Sequence, residues 1–272
     1  IICIDDSSFN QLLDIGLYCV LSNNFVSDKS FNKNDYKHNI WLRRIEILSH
    51  LINNENQDVI LTDLDSLWIN SPLNDISIHS ASSSIVSSRA WWPHELWSVW
   101  GATLCMGFIY FKADEFSKYF VNKIYLTMSD NINNYRKVDD QITANEELYK
   151  NQIEWFDKPM SVGNNAIANI GSISYNNMSY SITLLPHYKY IRNCNNLTDY
   201  TNRNEKKSRF NDIVILHCKY NRKVTRNLVF TFFKNWTLSI TQANKLIKEL
   251  NQYNHNKNVD YKSKNQMELD KL

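Results

Sequence analysis

The chain has 272 residues, of which 43% are hydrophobic and 21% are charged, so it can bury one large core or two small ones. The formal net charge of +2 at pH 7 is too small to indicate a nucleic-acid-binding protein. No apolar run approaches the roughly 18 residues of a membrane span, and no signal-peptide pattern stands at the start. The sequence indicates no particular compartment.

The five cysteines are scattered along the chain without paired spacing. Four of them, Cys3, Cys19, Cys105 and Cys218, lie inside apolar runs. This placement favours reduced core residues over a disulfide framework or a zinc site.

Strands and helices alternate in the first part of the chain, as judged by hydrophobic periodicity and by capping residues. The predicted elements are, in order, a strand at 1–4, a helix at 7–15, a strand at 17–21, a helix from Asn34 or Asp35 to about Leu51, and strands at 59–62, 84–88 and 105–111.

The alternation continues in the second part, with helices at 114–128 and 138–150, strands at 153–156, 182–185 and 212–219, and a closing helix at 224–250. This order predicts one α/β domain over residues 1–250 with a mainly parallel sheet, followed by a polar tail at 251–272. Because a compact α/β domain seldom begins inside a strand, we expect the domain to be incomplete at its N-terminus.

One stretch joins the predicted strand at 59–62 to two carboxylates, Asp63 and Asp65, and ends at Pro72. Alternate residues of a strand face opposite ways, but just past its carboxyl end the backbone turns and both side chains can converge on one ion. In open α/β sheets ligands bind at that end, and carboxylate oxygens suit Mg²⁺ or Mn²⁺. The alternative interpretation is a pair of solvated turn residues.

Four motifs follow one another along the chain. They are an Asp-x-Asp followed by a Trp and a Pro-Leu, at Asp63, Asp65, Trp68 and 72–73; a small-residue-Gly-Phe strand at 100–108 that contains Gly107; an Asp-Gln-x-x-x-Asn pattern at Asp140, Gln141 and Asn145; and His217 with Lys223. In this order they resemble the retaining glycosyltransferases of the GT-A fold, most like glycosyltransferase family 77 and related to family 8. The resemblance covers roughly residues 1–250.

The resemblance implies a GT-A domain and a divalent cation, Mn²⁺ or alternatively Mg²⁺, bound by Asp63, Asp65 and His217. The ion would stabilise the charge that develops on a departing nucleoside diphosphate. The implied donor is a UDP-sugar of the xylose or galactose type, and the implied acceptor is a glycan or a glycoprotein. For His217 the alternative is an ordinary half-buried histidine.

Lys223 would place a point charge against the diphosphate, and Arg43 or Arg44 would do the same from the helix before the motif. A solvated helix face is the alternative for either arginine. Asp140 and Gln141 would lie beside the anomeric carbon and the acceptor sugar; for these two the alternative is helix capping by Asp139 or Asp140.

Aromatic and small residues complete the implied substrate site. Trp91 and Trp92 belong to a tryptophan cluster with Trp97 and Trp100, whose flat rings suit the C–H faces of an acceptor sugar. The alternative is a packed core or a dimer patch. Trp68 and Asn145 are further substrate-binding candidates within the motifs. Gly107 would allow backbone to approach the donor closely, or would simply serve packing.

The sequence also departs from the family pattern. The family's first strand, which helps to hold the nucleotide base, would lie before Ile1, and Tyr220 stands where the family has a glycine. A non-catalytic sugar-binding relative is therefore one rival interpretation. A haloacid-dehalogenase-type phosphatase, with Asp63 as nucleophile, is another, but its later Gly-Asp motif has no counterpart.

Overall fold

The computed structural model describes residues 2–3, 10, 20–21, 36–63, 66–134, 138–157, 168–192 and 212–217. The chain forms two compact units, one of residues 1–27 with 226–272 and one of residues 28–225. In the first unit, β1 (Ile2–Cys3) pairs in parallel with β2 (Val20–Leu21). The predicted helix at 7–15, apart from residue 10, the predicted helix at 224–250 and the tail at 251–272 lie outside the described residues. The single domain over 1–250 stays a prediction.

The second unit contains all the other described elements. In chain order they are α1 (Tyr36–Asn53), β3 (Val59–Thr62), β4 (Leu67–Trp68), α2 (Leu73–Ser80), β5 (Ile85–Ala90), α3 (His94–Trp100), β6 (Thr103–Phe111), α4 (Glu115–Asn133), α5 (Asp140–Lys150), β7 (Glu154–Trp155), β8 (Asn169–Tyr175), β9 (Met178–Leu184), β10 (Tyr190–Ile191) and β11 (Ile215–Leu216). The predicted α/β class is confirmed. Among the described residues, no helix is both long and apolar enough to cross a bilayer.

Six strands form one sheet in the order β3-β6-β5-β9-β8-β7. Its one parallel pairing joins β5 to β9, and the other four pairings are antiparallel. The expectation of a mainly parallel sheet was therefore wrong for this part of the chain. One cause is the two-residue turn at Asn176 and Asn177, both with positive φ, which joins β8 to β9 as a hairpin.

Strand β6 is buried along its whole length, and its pairing register with β5 shifts near its middle. Leu104 and Met106 face the same helix-covered core as Ile109 and Phe111, although a regular strand would place the two pairs on opposite faces. The register with β5 shifts between these two pairs, and Gly107 lies in the shifted segment.

Three helices cover one face of the sheet through the same core, in which Ile45 and Leu48 of α1 pack with Phe120 and Ile124 of α4 and Leu148 of α5. Both α4 and α5 begin at a capping aspartate. Asp114 accepts a hydrogen bond from the Ser117 backbone N–H at 2.9 Å, and Asp139 accepts one from Ile142 at 3.0 Å.

A second, three-stranded sheet has the order β10-β11-β4. The strands β10 and β11 run in parallel, while β11 and β4 run antiparallel. Arg192 directly follows β10 and His217 directly follows β11, so the parallel pairing brings these two side chains to the same edge of the sheet.

Candidate active site

Asp63 leaves β3 beside the shifted segment of β6. Its backbone N–H donates to the carbonyl oxygen of Gly107 at 2.9 Å, and the hydroxyl of Ser66 donates to the same oxygen at 2.7 Å. The backbone N–H of Ser66 donates to the Asp63 carbonyl at 3.0 Å. The two residues between them, which include Asp65, lie outside the described residues, and the turn predicted after the strand stays a prediction.

Arg44 of α1 connects two of the predicted site carboxylates. Its Nη1 forms an ion pair with Oδ1 of Asp63, and its Nη2 forms one with Oδ2 of Asp140. Burial works to lower the pKa of Arg44, but the carboxylates of Asp140 and Asp63 outweigh it and raise that pKa. Arg44 therefore stays a cation that holds the end of β3 and the start of α5 together.

Asp140 is almost completely buried, with 3% of its surface exposed. Burial raises the pKa of this carboxyl, and the ion pair with Arg44 opposes the rise. Because Asp139 is the residue that caps α5, the side chain of Asp140 is not used as the cap and turns to Arg44 instead.

His217 reaches the same place from the second sheet. Its Nε2 lies 3.5 Å from Oδ2 of Asp63, and its side chain is buried. Gly107 makes this approach possible, since a Cβ atom at this position would lie 2.6 Å from Oδ2 of Asp63 and 2.7 Å from Nδ1 of His217. Only a glycine leaves room here for the side chains of Asp63 and His217 to approach each other.

Arg192 is a site residue that the sequence reasoning missed. Its Nη1 contacts both ring nitrogens of His217 and lies 2.9 Å from Nε2. The only available signal was a basic residue directly after the apolar pair Tyr190-Ile191, because a two-residue strand shows no periodicity.

Cys105 lies behind His217, with its Sγ 3.8 Å from Nδ1, and is a buried free thiol, as the sequence predicted. Burial works to raise the pKa of Cys105, but Arg192 and His217 together outweigh it and lower the pKa to about 6.

The side chain of Gln141 binds backbone of the tryptophan segment. Its Nε2 donates to the carbonyl oxygen of Trp92 at 2.8 Å, and the hydroxyl of Thr103 donates to the same oxygen at 2.8 Å. Gln141 therefore holds the segment that contains Trp91 and Trp92 against the start of α5.

Asn145 is completely buried and bonds to β6. Its Oδ1 accepts from the Leu104 N–H at 2.9 Å, while its Nδ2 donates to the carbonyl oxygens of Leu104 at 3.1 Å and Gln141 at 2.7 Å. These contacts fix α5 to β6. A direct contact of Asn145 with substrate stays a prediction.

The tryptophan cluster divides into two parts. Trp100 is buried and packs near Trp155, with ring centroids 6.1 Å apart, as the core interpretation predicts. The ring of His94 lies between those of Trp92 and Trp97, at 5.0 Å and 6.0 Å, and Trp97 is 38% exposed. This second part offers an accessible aromatic surface next to Gln141.

The remaining candidates lie in different places. Arg43 is buried and forms an ion pair with Glu46 at 2.8 Å, away from the carboxylates that Arg44 holds. Trp68 is exposed and packs edge-on against Phe108, with ring centroids 6.0 Å apart. Lys223 lies outside the described residues.

Two of the three predicted metal ligands come together. A carboxylate oxygen of Asp63 and an imidazole nitrogen of His217, 3.5 Å apart, are donors that a single divalent cation can share. Within the described ranges, which leave out Asp65, no group of three or more His, Cys, Asp or Glu side chains is placed to hold a metal. The residues present thus fit a cation whose third predicted ligand is Asp65.

The comparison with protein families identifies one match, the family described as nucleotide-diphospho-sugar transferase, which covers residues 1–228. No curated protein and no solved structure matches the chain. The matched range is most of the chain, and it contains the segments that form the site described above.

Proposed function

Since the chain belongs to the nucleotide-diphospho-sugar transferase family, we propose that it is a metal-dependent retaining glycosyltransferase of the family 77 or family 8 type. It moves a sugar of the xylose or galactose type from UDP to a glycan or a glycoprotein. The observation that carries this proposal is the convergence of Asp63, Asp140 and His217 from three separate parts of the chain. Arg44 pairs with both carboxylates, and His217 lies against Asp63.

Asp63 and His217, together with Asp65, are the residues that would hold Mn²⁺ or Mg²⁺. The bound cation supplies positive charge beside the diphosphate, where negative charge develops as the sugar leaves. Arg44 adds a fixed positive charge at the same place, and its two ion pairs keep it there before any donor binds.

Asp140 and Gln141 take positioning roles. The carboxylate of Asp140 is held by Arg44, and the amide of Gln141 is held by the Trp92 carbonyl. Both side chains are buried and bonded to protein, which favours orientation of the sugar and of the acceptor segment over formation of a covalent bond to the enzyme.

The acceptor surface is the aromatic group formed by Trp92, His94 and Trp97. Its rings lie in the segment that Gln141 fastens to α5, so a saccharide stacked on them would face the site carboxylates. Trp91 lies half-buried next to this group and completes the same segment.

A donor-hydrolysis screen tests the proposal. Purified protein is incubated with UDP- and GDP-sugars, with and without Mn²⁺, and release of the nucleoside diphosphate is measured. We expect turnover of a UDP-sugar that requires the metal and that the variant Asp65→Ala abolishes. The matched control Asp130→Ala, at an exposed position of α4, keeps wild-type turnover.

Two results would contradict the proposal. Absence of metal-dependent turnover with every donor would instead indicate a non-catalytic relative of the family. Unchanged turnover in Asp65→Ala would remove the assignment of the metal site.

A further inference from the structure

Arg192 is a buried cation in contact with His217. Only 6% of its surface is exposed, and no carboxylate pairs with it among the residues that the structure describes. Its Nε is also buried without a hydrogen-bond partner. Placing a charged group in the interior is costly unless an opposite charge or several acceptors compensate it.

The other buried or half-buried arginines of the described ranges are compensated. Arg43 pairs with Glu46, and Arg44 pairs with two carboxylates. The guanidinium of Arg89 donates to the carbonyl oxygens of Leu185 at 2.8 Å and Leu184 at 3.4 Å. Arg192 instead contacts the ring of His217, which carries no negative charge.

The position of Arg192 places its charge in the candidate active site. Its Nη1 lies 2.9 Å from Nε2 of His217, and the same Nε2 lies 3.5 Å from Oδ2 of Asp63. The residue directly follows β10, at the edge of the parallel pair β10–β11, where a ligand can approach. An anion bound beside Asp63 and His217 would therefore reach the guanidinium of Arg192.

We propose that Arg192 is a phosphate-binding residue of the donor site, whose guanidinium receives the diphosphate of the nucleotide-sugar. A guanidinium offers parallel N–H donors that match two phosphate oxygens, and such charge-assisted bonds are among the strongest in proteins. This assignment rests on the proposed function, because it takes its anion from the donor. It adds a residue that none of the four sequence motifs contains.

A structural arginine and an arginine that awaits a ligand differ in what their removal does to the free protein. We expect Arg192→Met to leave the melting temperature of the nucleotide-free protein unchanged or higher, because it removes a buried charge with which no carboxylate or carbonyl oxygen of the described residues pairs. The matched control Arg89→Met lowers the melting temperature, since it leaves backbone carbonyl oxygens without their donors.

Ligand binding gives the second readout. With Mn²⁺ present, we expect the affinity of Arg192→Met for UDP to fall by about 10- to 100-fold, the loss typical of one charge-assisted bond. Its affinity for uridine, which carries no phosphate, stays at the wild-type value. Arg192→Lys, which keeps the charge without the planar fork, gives an intermediate affinity for UDP.

The outcomes separate this assignment from the proposed function. Wild-type protein that binds neither UDP nor GDP would overturn both. Wild-type binding of UDP with an unchanged UDP affinity in Arg192→Met and Arg192→Lys would overturn the assignment alone. A fall in melting temperature of Arg192→Met equal to that of Arg89→Met would show a structural arginine and would likewise overturn it.

Discussion

Oδ2 of Asp63 and Nε2 of His217 lie 3.5 Å apart, although the two residues follow strands of different sheets. Asp63 follows β3 in the six-stranded sheet, and His217 follows β11 in the three-stranded sheet. Both side chains meet over Gly107, in the irregular segment of β6. The site thus depends on a strand distortion as well as on its polar residues.

The variant Gly107→Ala tests this dependence. The added Cβ would force Asp63 and His217 apart, and a displacement of reacting groups by about 1 Å can cost about 100-fold in rate. We therefore expect a loss of donor turnover of about that size, measured as kcat/KM for UDP-sugar.

Gly171→Ala is the control for this variant. Its Cβ would lie 2.8 Å from Cδ1 of Ile153 and 2.9 Å from Cε3 of Trp155, which is also crowded, though less so, and involves neither Asp63 nor His217. It should lower the thermal stability and leave kcat/KM close to wild type. Equal turnover in Gly107→Ala and wild-type protein would show that Asp63 and His217 need not approach each other.

Asn145→Ala is expected to act on stability. It removes three buried hydrogen bonds to backbone of Leu104 and Gln141, which together stabilise the fold by about 2–4 kcal/mol. Chemical denaturation measures the loss. Asn151→Ala removes one hydrogen bond to the Glu147 carbonyl and a long one, at 3.4 Å, from the Tyr119 hydroxyl, and should cost about 1 kcal/mol or less. A cost in Asn145→Ala no larger than this control would contradict the structural role.

His187 makes the stability depend on pH. Burial, reinforced by the positive charge of Arg89, lowers the pKa of His187 from its ordinary value of 6.5 to about 4 in the folded protein. Between these values the unfolded chain binds a proton that the folded chain does not, so the free energy of unfolding falls as the pH falls from about 6.5 to about 4. This group alone accounts for a loss of about 3 kcal/mol.

The variant His187→Gln isolates that contribution, because it keeps a hydrogen-bonding side chain and cannot become charged. The free energy of unfolding is measured for both proteins from pH 7 to pH 4. We expect the free energy of unfolding of His187→Gln, relative to that of the wild type, to rise as the pH falls through this range. Parallel curves would show that His187 takes up its proton equally in the folded and unfolded states.

The order of motifs along the sequence predicted that Asp63, Asp140 and His217 lie in one site. The structure places Asp63 and Asp140 against Arg44, and His217 against Asp63. The sequence could not choose between Arg43 and Arg44. Consecutive helical residues point about 100° apart, so only one can face the site, and the choice depends on how α1 packs.

Two other features were out of reach of sequence reasoning for physical reasons. The direction of the strands is set by connections such as the Asn176-Asn177 turn, and in an asparagine-rich chain such a pair stands out poorly. The importance of Arg192 comes from its burial beside His217 and from the lack of a carboxylate partner among the described residues, which are properties of the packed structure alone.

Manganese binding tests the central claim most directly, because it needs neither the donor sugar nor the acceptor to be identified. Free Mn²⁺ is titrated by electron paramagnetic resonance in the presence of UDP, with wild-type protein, Asp63→Asn and the exposed control Asp130→Asn. We predict that wild type and the control bind one Mn²⁺ per chain with equal affinity, and that Asp63→Asn weakens this binding by about 10-fold or more. Equal Mn²⁺ binding in Asp63→Asn and wild type, or none in wild type, would contradict a metal–diphosphate site at Asp63 and His217.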